Sequence, residues 1–184
     1  MIYAALLRGI NVGGHNKVNM KELKEAFEHA GMSSVKTYIN SGNIVFQDSR
    51  EKEQVTVLLE QAILEQFGLH IKVLVYSFDE YSRIAQAVPP EWANDKQLKS
   101  DVLFLWQQVD QESVMEKLPL KPDIDQAIYV PGAILWSVDR EQASRSGLAK
   151  IVGTALYKQV TIRNVNTVRK IYELMRELEG ELTI

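Results

Sequence analysis

Two periods of apolar and polar residues alternate along this chain, and the points where one gives way to the other mark its elements. Residues 2–7 (Ile-Tyr-Ala-Ala-Leu-Leu) are apolar on both faces, the pattern of a central strand covered on each side, and Arg8 stops the run. Met20, Leu23, Phe27 and Ala30 then recur at helical intervals. Asn19 to Glu22 has capping-box spacing at the start of that helix, and Gly31 is placed to end it. Beyond it Val35, Thr37 and Ile39 alternate with Lys36 and Tyr38. Asn40-Ser41-Gly42-Asn43 supplies turn residues and Ile44, Val45 and Phe46 resume the apolar run, which predicts a β-hairpin. Val55, Leu58, Leu59, Ala62, Ile63 and Phe67 make the stripe of a helix over residues 50–67, closed by Gly68. Residues 71–76 predict a strand, and Ser77 to Glu80 a second capping box for a helix that Pro89-Pro90 must terminate.

The same order returns in the second half. Residues 102–106 predict a strand and 112–118 a short helix, and 126–130 with 133–137 a hairpin about Pro131-Gly132, a pair suited to a type II turn. Residues 140–157 read as helical despite Gly147 and Gly153. Residues 160–163 read as a strand and 165–178 as a closing helix with Val168, Ile171, Tyr172 and Met175 inward. Strand-helix-strand-strand-helix-strand is the split βαβ, or ferredoxin-like, arrangement, with helices packed on one face of an antiparallel sheet. The expected fold is α+β, two tandem ferredoxin-like (βαββαβ) units over residues 1–90 and 98–184. The joint between them is rich in Pro, Asn, Asp and Lys, and its Trp92 is expected to pack at the interface of the units.

Composition narrows the classes of function. The 184 residues are 46% hydrophobic and 24% charged with a formal net charge of -3, a globular balance. Cysteine is absent, which removes disulfides, thiolate zinc sites, iron–sulfur ligation and cysteine nucleophiles, and points to the reducing cytoplasm. Residues 1–7 lack a basic leader and are too few to span a bilayer, so neither a signal peptide nor a membrane partner is expected. The acidic balance argues against nucleic acid held by bulk charge and leaves only a local basic groove for such a partner.

Topology gathers the polar residues. In a split βαβ unit the first and second strands run parallel, so the loop of residues 8–17 and the hairpin turn of residues 38–43 share one end of the sheet. In the second unit the same geometry draws Asp139, Arg140, Ser144 and Arg145 toward residues 161–167. A cleft between the units would set the two clusters face to face. Gly9 to Gly14 has the spacing of a phosphate loop after a strand, but His15 and Asn16 stand where Lys and Ser or Thr are required, so a nucleotide P-loop is not expected. Two readings of Gly13-Gly14 stay open: a plain tight turn, or a nest of amides that faces an anion with Arg8 and Lys17 alongside. Tyr38 offers a stacking platform, and Asn164 is placed to cap a helix at whose N-terminus anions gather, with Arg163 beside it. His15, His29 and His70 are scattered and form no metal-ligand pattern. No Gly-x-Ser-x-Gly elbow is present. Asp123 and Asp125 read as solvated loop charge.

Residues 6–14 (Leu-Leu-Arg-Gly-Ile-Asn-Val-Gly-Gly), 37–43 (Thr-Tyr-Ile-Asn-Ser-Gly-Asn) and 161–167 (Thr-Ile-Arg-Asn-Val-Asn-Thr) resemble the signature segments of a widespread bacterial family, domain of unknown function 1697. The three segments stand in the family's order, and the likeness spans essentially the whole chain. It implies two ferredoxin-like units and marks Arg8, Gly9, Asn11, Gly13, Gly14, Tyr38, Ser41, Gly42, Asn43, Arg163, Asn164 and Thr167 as signature positions. It carries no settled activity and leaves any cofactor unknown. Where the family's last segment carries Trp, this chain has Val165. The leading expectation is a binding module for a small phosphate- or nucleotide-like anion. Arg8 and Arg163 would supply charge, Gly13-Gly14 the amides, and Asn11, Asn43 and Asn164 orientation. The alternatives are an enzyme that positions such a substrate electrostatically, a nucleic-acid module that stacks bases on Tyr38, and a scaffold whose signature residues only shape loops. The sequence names no oligomeric state.

Overall fold

The computed structural model describes residues 1–182. It divides into two compact units, one of Met1–Ser82 with the chain from Lys170 onward, the other Arg83–Arg169. Each holds one four-stranded antiparallel sheet with the ferredoxin-like strand permutation.

The first unit runs β1 (Ile2–Leu7), α1 (Met20–His29), β2 (Ser33–Tyr38), β3 (Asn43–Gln47), α2 (Lys52–Phe67) and β4 (Val73–Ser77), with strand order β2-β3-β1-β4. β1 is central and every one of its residues is buried, which is why its sequence shows no polar face. Tyr3, Ala5 and Leu7 pack with Ile44, Phe46 and Val75 against Leu23 and Phe27 of α1 and Val55, Leu59 and Ile63 of α2. The caps follow the sequence. Asn19 Oδ1 accepts from the amides of Lys21 (2.9 Å) and Glu22 (3.3 Å), and Gly68 closes α2 at φ +66°. At α3 (Phe78–Ala87) the Ser77 amide donates to Glu80 Oε2 at 2.8 Å while the Glu80 amide donates to Ser77 Oγ at 3.3 Å, a reciprocal capping box.

The second unit contains β5 (Leu98–Leu105), β6 (Gln126–Val130), β7 (Ala133–Asp139) and β8 (Val160–Asn164) in the order β6-β7-β5-β8. Gly132 turns the β6–β7 hairpin at φ +94°, as a type II turn requires. α4 (Val165–Leu182) follows β8. The helix expected over residues 140–157 is instead three 3-10 segments, Arg140–Arg145, Gly147–Gly153 and Leu156–Gln159, and the short helix over 112–118 is a 3-10 segment, Glu112–Lys117. The cause is local. A Cβ on Gly147 would lie 1.8 Å from Pro119 O, so the chain passes backbone to backbone there. Asp125 holds that crossing together, which corrects its reading as solvated charge. It is only 8% exposed and accepts hydrogen bonds from Lys121 N (2.9 Å), Trp136 Nε1 (3.0 Å), Gly147 N (2.8 Å) and Ser146 Oγ.

The joint expected to link two units is fastened within the second one. Asp95 Oδ1 accepts from the amides of Gln97 and Leu98, and Arg140 donates to Asp95 O, Leu98 O and Asn94 Oδ1. Arg169 donates to the carbonyls of Trp92 and Pro89. Trp92 is buried.

Candidate functional site

At the end of β1 the chain coils through five residues in the left-handed region: Gly9, Asn11, Gly13, Gly14 and Asn16. Gly13 (φ +58°) and Gly14 (φ +79°) are the central pair of a primed turn closed by a hydrogen bond from His15 N to Val12 O, 3.0 Å. Glycine suits both places because a side chain is strained at positive φ. Asn16 Nδ2 donates to Gly9 O at 2.9 Å, which ties the two legs of the loop. Ile10 and Val18 are buried and anchor them in the core of the unit.

Asn11 joins this loop to the β2–β3 turn. Its Nδ2 donates to Val18 O and to Asn40 O, each at 2.9 Å, and its Oδ1 accepts from Val18 N at 2.9 Å. The two polar segments are therefore neighbours, as the topology predicts. Gly42 lies just beneath. Leu7 N donates to Gly42 O at 2.8 Å, and a Cβ on Gly42 would fall 2.6 Å from Leu7 Cβ and 2.9 Å from Ile10 Cδ1. Asn43 is fully buried and its Nδ2 donates to Tyr38 O (3.0 Å) and Ser41 Oγ (2.9 Å), so this amide shapes the turn and does not reach the surface. Ile39 is held at φ +48° with half its surface exposed, a strained conformation for a β-branched residue.

Between the coiled loop, the β2–β3 turn and the start of α1 lies an open groove of 520 Å³. Asn11, Gly14, Lys17, Lys21 and Asn40 line it, with Asn19 and Met20 at the helix end. Lys17 is exposed and makes no ion pair among the described residues. Lys21 makes a loose exposed pair with Glu25 at 4.0 Å, an interaction worth little in water. Asn19 already engages the amides of Lys21 and Glu22, and the cationic side chains that line the groove are Lys17 and Lys21. Arg8 is not among the lining residues. It is half-buried at the end of β1, where its amide donates to Lys72 O at 3.0 Å. Gly9, Gly13, Tyr38 and Ser41 build the surrounding loop and turn without lining the groove.

The second cluster is placed differently. Arg163 is 8% exposed and donates to Thr161 Oγ1 (3.0 Å) and Ile162 O (2.9 Å). Asn164 Oδ1 accepts from the amide of buried Thr167 at 2.9 Å and so caps α4. Arg140 and Asn166 meet on one residue, Asn94, through its side-chain and main-chain oxygens respectively. Asp101, unmarked by the sequence reading, pairs in register with both Trp136 and Asn164. It is 8% exposed, and burial pushes its carboxyl above the ordinary carboxylate value, partly offset by Lys99 and Arg140. The signal for it was an acid at an inward-facing place of β5, two residues before Leu103. Among the described residues no three His, Asp or Glu side chains converge as metal ligands, and no helix is long and apolar enough to cross a membrane.

A family model described as "Protein of unknown function (DUF1697)" matches residues 1–136. The solved structure of a conserved bacterial protein from Streptococcus pneumoniae is similar over 95% of this chain and 98% of its own, with 31% sequence identity and a TM-score of 0.81. No curated protein matches.

Proposed function

The chain belongs to the DUF1697 family, whose description carries no activity, and we propose from the geometry of its first unit that it binds a small anionic ligand, phosphate- or nucleotide-like, in the groove beside α1. The carrying observation is the convergence of Lys17, Lys21, the Gly14 end of a left-handed loop and a helix N-terminus on one 520 Å³ concavity. Each element suits negative charge: ammonium groups, main-chain amides of a coiled loop, and the positive end of a helix. Asn11 holds three hydrogen bonds at 2.9 Å across the two walls, so the groove is shaped before a ligand arrives and little ordering opposes binding. In this reading the signature residues Gly9, Asn11, Gly42 and Asn43 build the site, while Lys17 and Lys21 touch the ligand. Arg8 supplies positive charge at the strand end.

A thermal-shift screen tests it. Wild type and the double variant Lys17→Ala/Lys21→Ala are scanned against inorganic phosphate, sugar phosphates, nucleotides and carboxylates. A ligand present at about 100 times its dissociation constant stabilises the fold by about 2.7 kcal/mol, so a hit raises the melting temperature of the wild type. The double variant loses that rise. Hits that persist undiminished in the double variant remove the groove from consideration.

A further inference from the structure

The groove beside α1 has room for more than a bare anion. Its 520 Å³ falls in the range of sites that enclose organic ligands. Its wall is mixed: half-buried Met20 and buried Val18 line it together with Lys17 and Lys21, and among the described residues none that lines it is acidic or aromatic. A methionine side chain is flexible and polarizable, and packs against apolar groups of varied shape. A ligand held by charge alone would leave that part of the wall unused.

Two further apolar side chains stand at the rim. Ile39 precedes the lining residue Asn40 and Val12 follows the lining residue Asn11, and the 2.9 Å bond from Asn11 Nδ2 to Asn40 O holds the two segments together. Ile39 is 50% exposed and Val12 67%. Ile39 is unfavourable twice over. It holds φ +48°, an outlier for a β-branched residue, and it keeps apolar surface in water. An asparagine there would relieve both. Strain that the local sequence could remove and does not remove marks a side chain in use.

The charge around the groove says what kind of molecule uses it. The strand registers place the loops of residues 8–19, 39–42 and 68–72 at one end of the first sheet. These loops contain Arg8, Lys17 and Lys72 and no Asp or Glu, in a chain whose net charge is -3.

We propose that the ligand of this groove is a phosphate monoester with an apolar organic group. Its phosphate lies at Lys17 and Lys21, and its organic group runs along Met20 to the rim formed by Ile39 and Val12. This rests on the anion site proposed above and narrows it, because inorganic phosphate would fill only the charged part. An alkyl chain and a nucleobase share the required chemistry.

Amide-resolved NMR titration of the 15N-labelled full chain with inorganic phosphate, glycerol 3-phosphate, hexyl phosphate and AMP tests it. Hexyl phosphate or AMP should bind about tenfold tighter than the two polar ligands, and the tighter of that pair shows whether a chain or a base is received. Ile39→Asn should weaken the tighter ligand about fivefold, because the ligand covers the exposed half of the isoleucine. The same variant should keep its affinity for inorganic phosphate and melt above the wild type. Equal affinities for all four ligands, lost together in Lys17→Ala/Lys21→Ala, would overturn the apolar subsite and leave the anion site standing. No binding of any of the four overturns both. An Ile39→Asn variant that binds hexyl phosphate and AMP as the wild type does, or that melts below it, overturns the role of the rim and with it the proposal.

Discussion

Removing the Asp125 carboxylate should unfold the second unit more readily than any other single loss of a polar side chain there. The carboxylate takes four hydrogen bonds, from Lys121 N, Trp136 Nε1, Ser146 Oγ and Gly147 N. Trp136 and Ser146 are essentially buried, so in Asp125→Ala their donors have no route to water. Each stranded donor costs about 1–3 kcal/mol, and the costs add less than fully because they share one acceptor. With the Trp136 and Ser146 donors both stranded, about 3 kcal/mol is expected here. That is a large share of the roughly 5–15 kcal/mol that holds an ordinary domain folded. Asp125→Asn keeps one acceptor oxygen but points an NH2 group at donors, and should cost about half as much. Urea titration followed by circular dichroism and tryptophan fluorescence measures both. A loss below about 0.5 kcal/mol in Asp125→Ala, the scale of a surface substitution, would refute the reasoning. The pH dependence gives a second check. Burial alone would raise this carboxyl, but the Ser146 hydroxyl, the Gly147 and Lys121 amides and the Trp136 indole outweigh it and hold the group below its ordinary value. A depressed folded-state value contributes stability that is present above the unfolded value of about 3.9 and is lost as pH falls through the folded one. The gap between wild type and Asp125→Ala should therefore be full at neutral pH and narrow only below about pH 4.

Asp101 predicts the opposite sign. Its folded-state carboxyl is raised by burial, so its contribution is present below about pH 3.9 and is lost as pH rises through the folded value; Asp101→Asn should be more stable than wild type at neutral pH and equal to it at pH 3, as read by thermal melts at both. Gly42→Ala should lose about 3 kcal/mol, since its Cβ would meet Leu7 Cβ at 2.6 Å and its φ of +76° resists a side chain; a melt within a degree of wild type would contradict this.

Much of this architecture is written in local pattern. The all-apolar β1, the Asn19 and Ser77 caps, the Gly68 stop and the Pro131-Gly132 turn each state their role within a few residues, and the structure contains all of them. The proximity of residues 8–17 to residues 38–43 follows once the strand order is known, and Asn11 to Asn40 O realises it. The 3-10 segments after β7 were not legible. Apolar spacing over residues 140–157 suggests a helix, but the conformation is decided by Gly147 passing Pro119 and by Asp125 reaching Ser146 across 21 residues, contacts that no local window contains. The candidate site shows the same divide. Gly13, Gly14 and Lys17 announce themselves by residue type, whereas Lys21 and Asn40 enter the groove only because a helix start and a turn are folded against the loop. Asn43 and Arg163 looked like ligand groups by type, and both prove to be buried.

The central claim is an anion in the groove beside α1, and amide-resolved NMR of the 15N-labelled chain tests it most directly. Titration with inorganic phosphate, then with a nucleotide, should move the resonances of Gly13, Gly14, Lys17 and Lys21 first and saturably. In Lys17→Ala/Lys21→Ala the same additions should leave the remaining loop resonances still. Saturable shifts that gather elsewhere in the chain, or none at all with either ligand, would contradict the account.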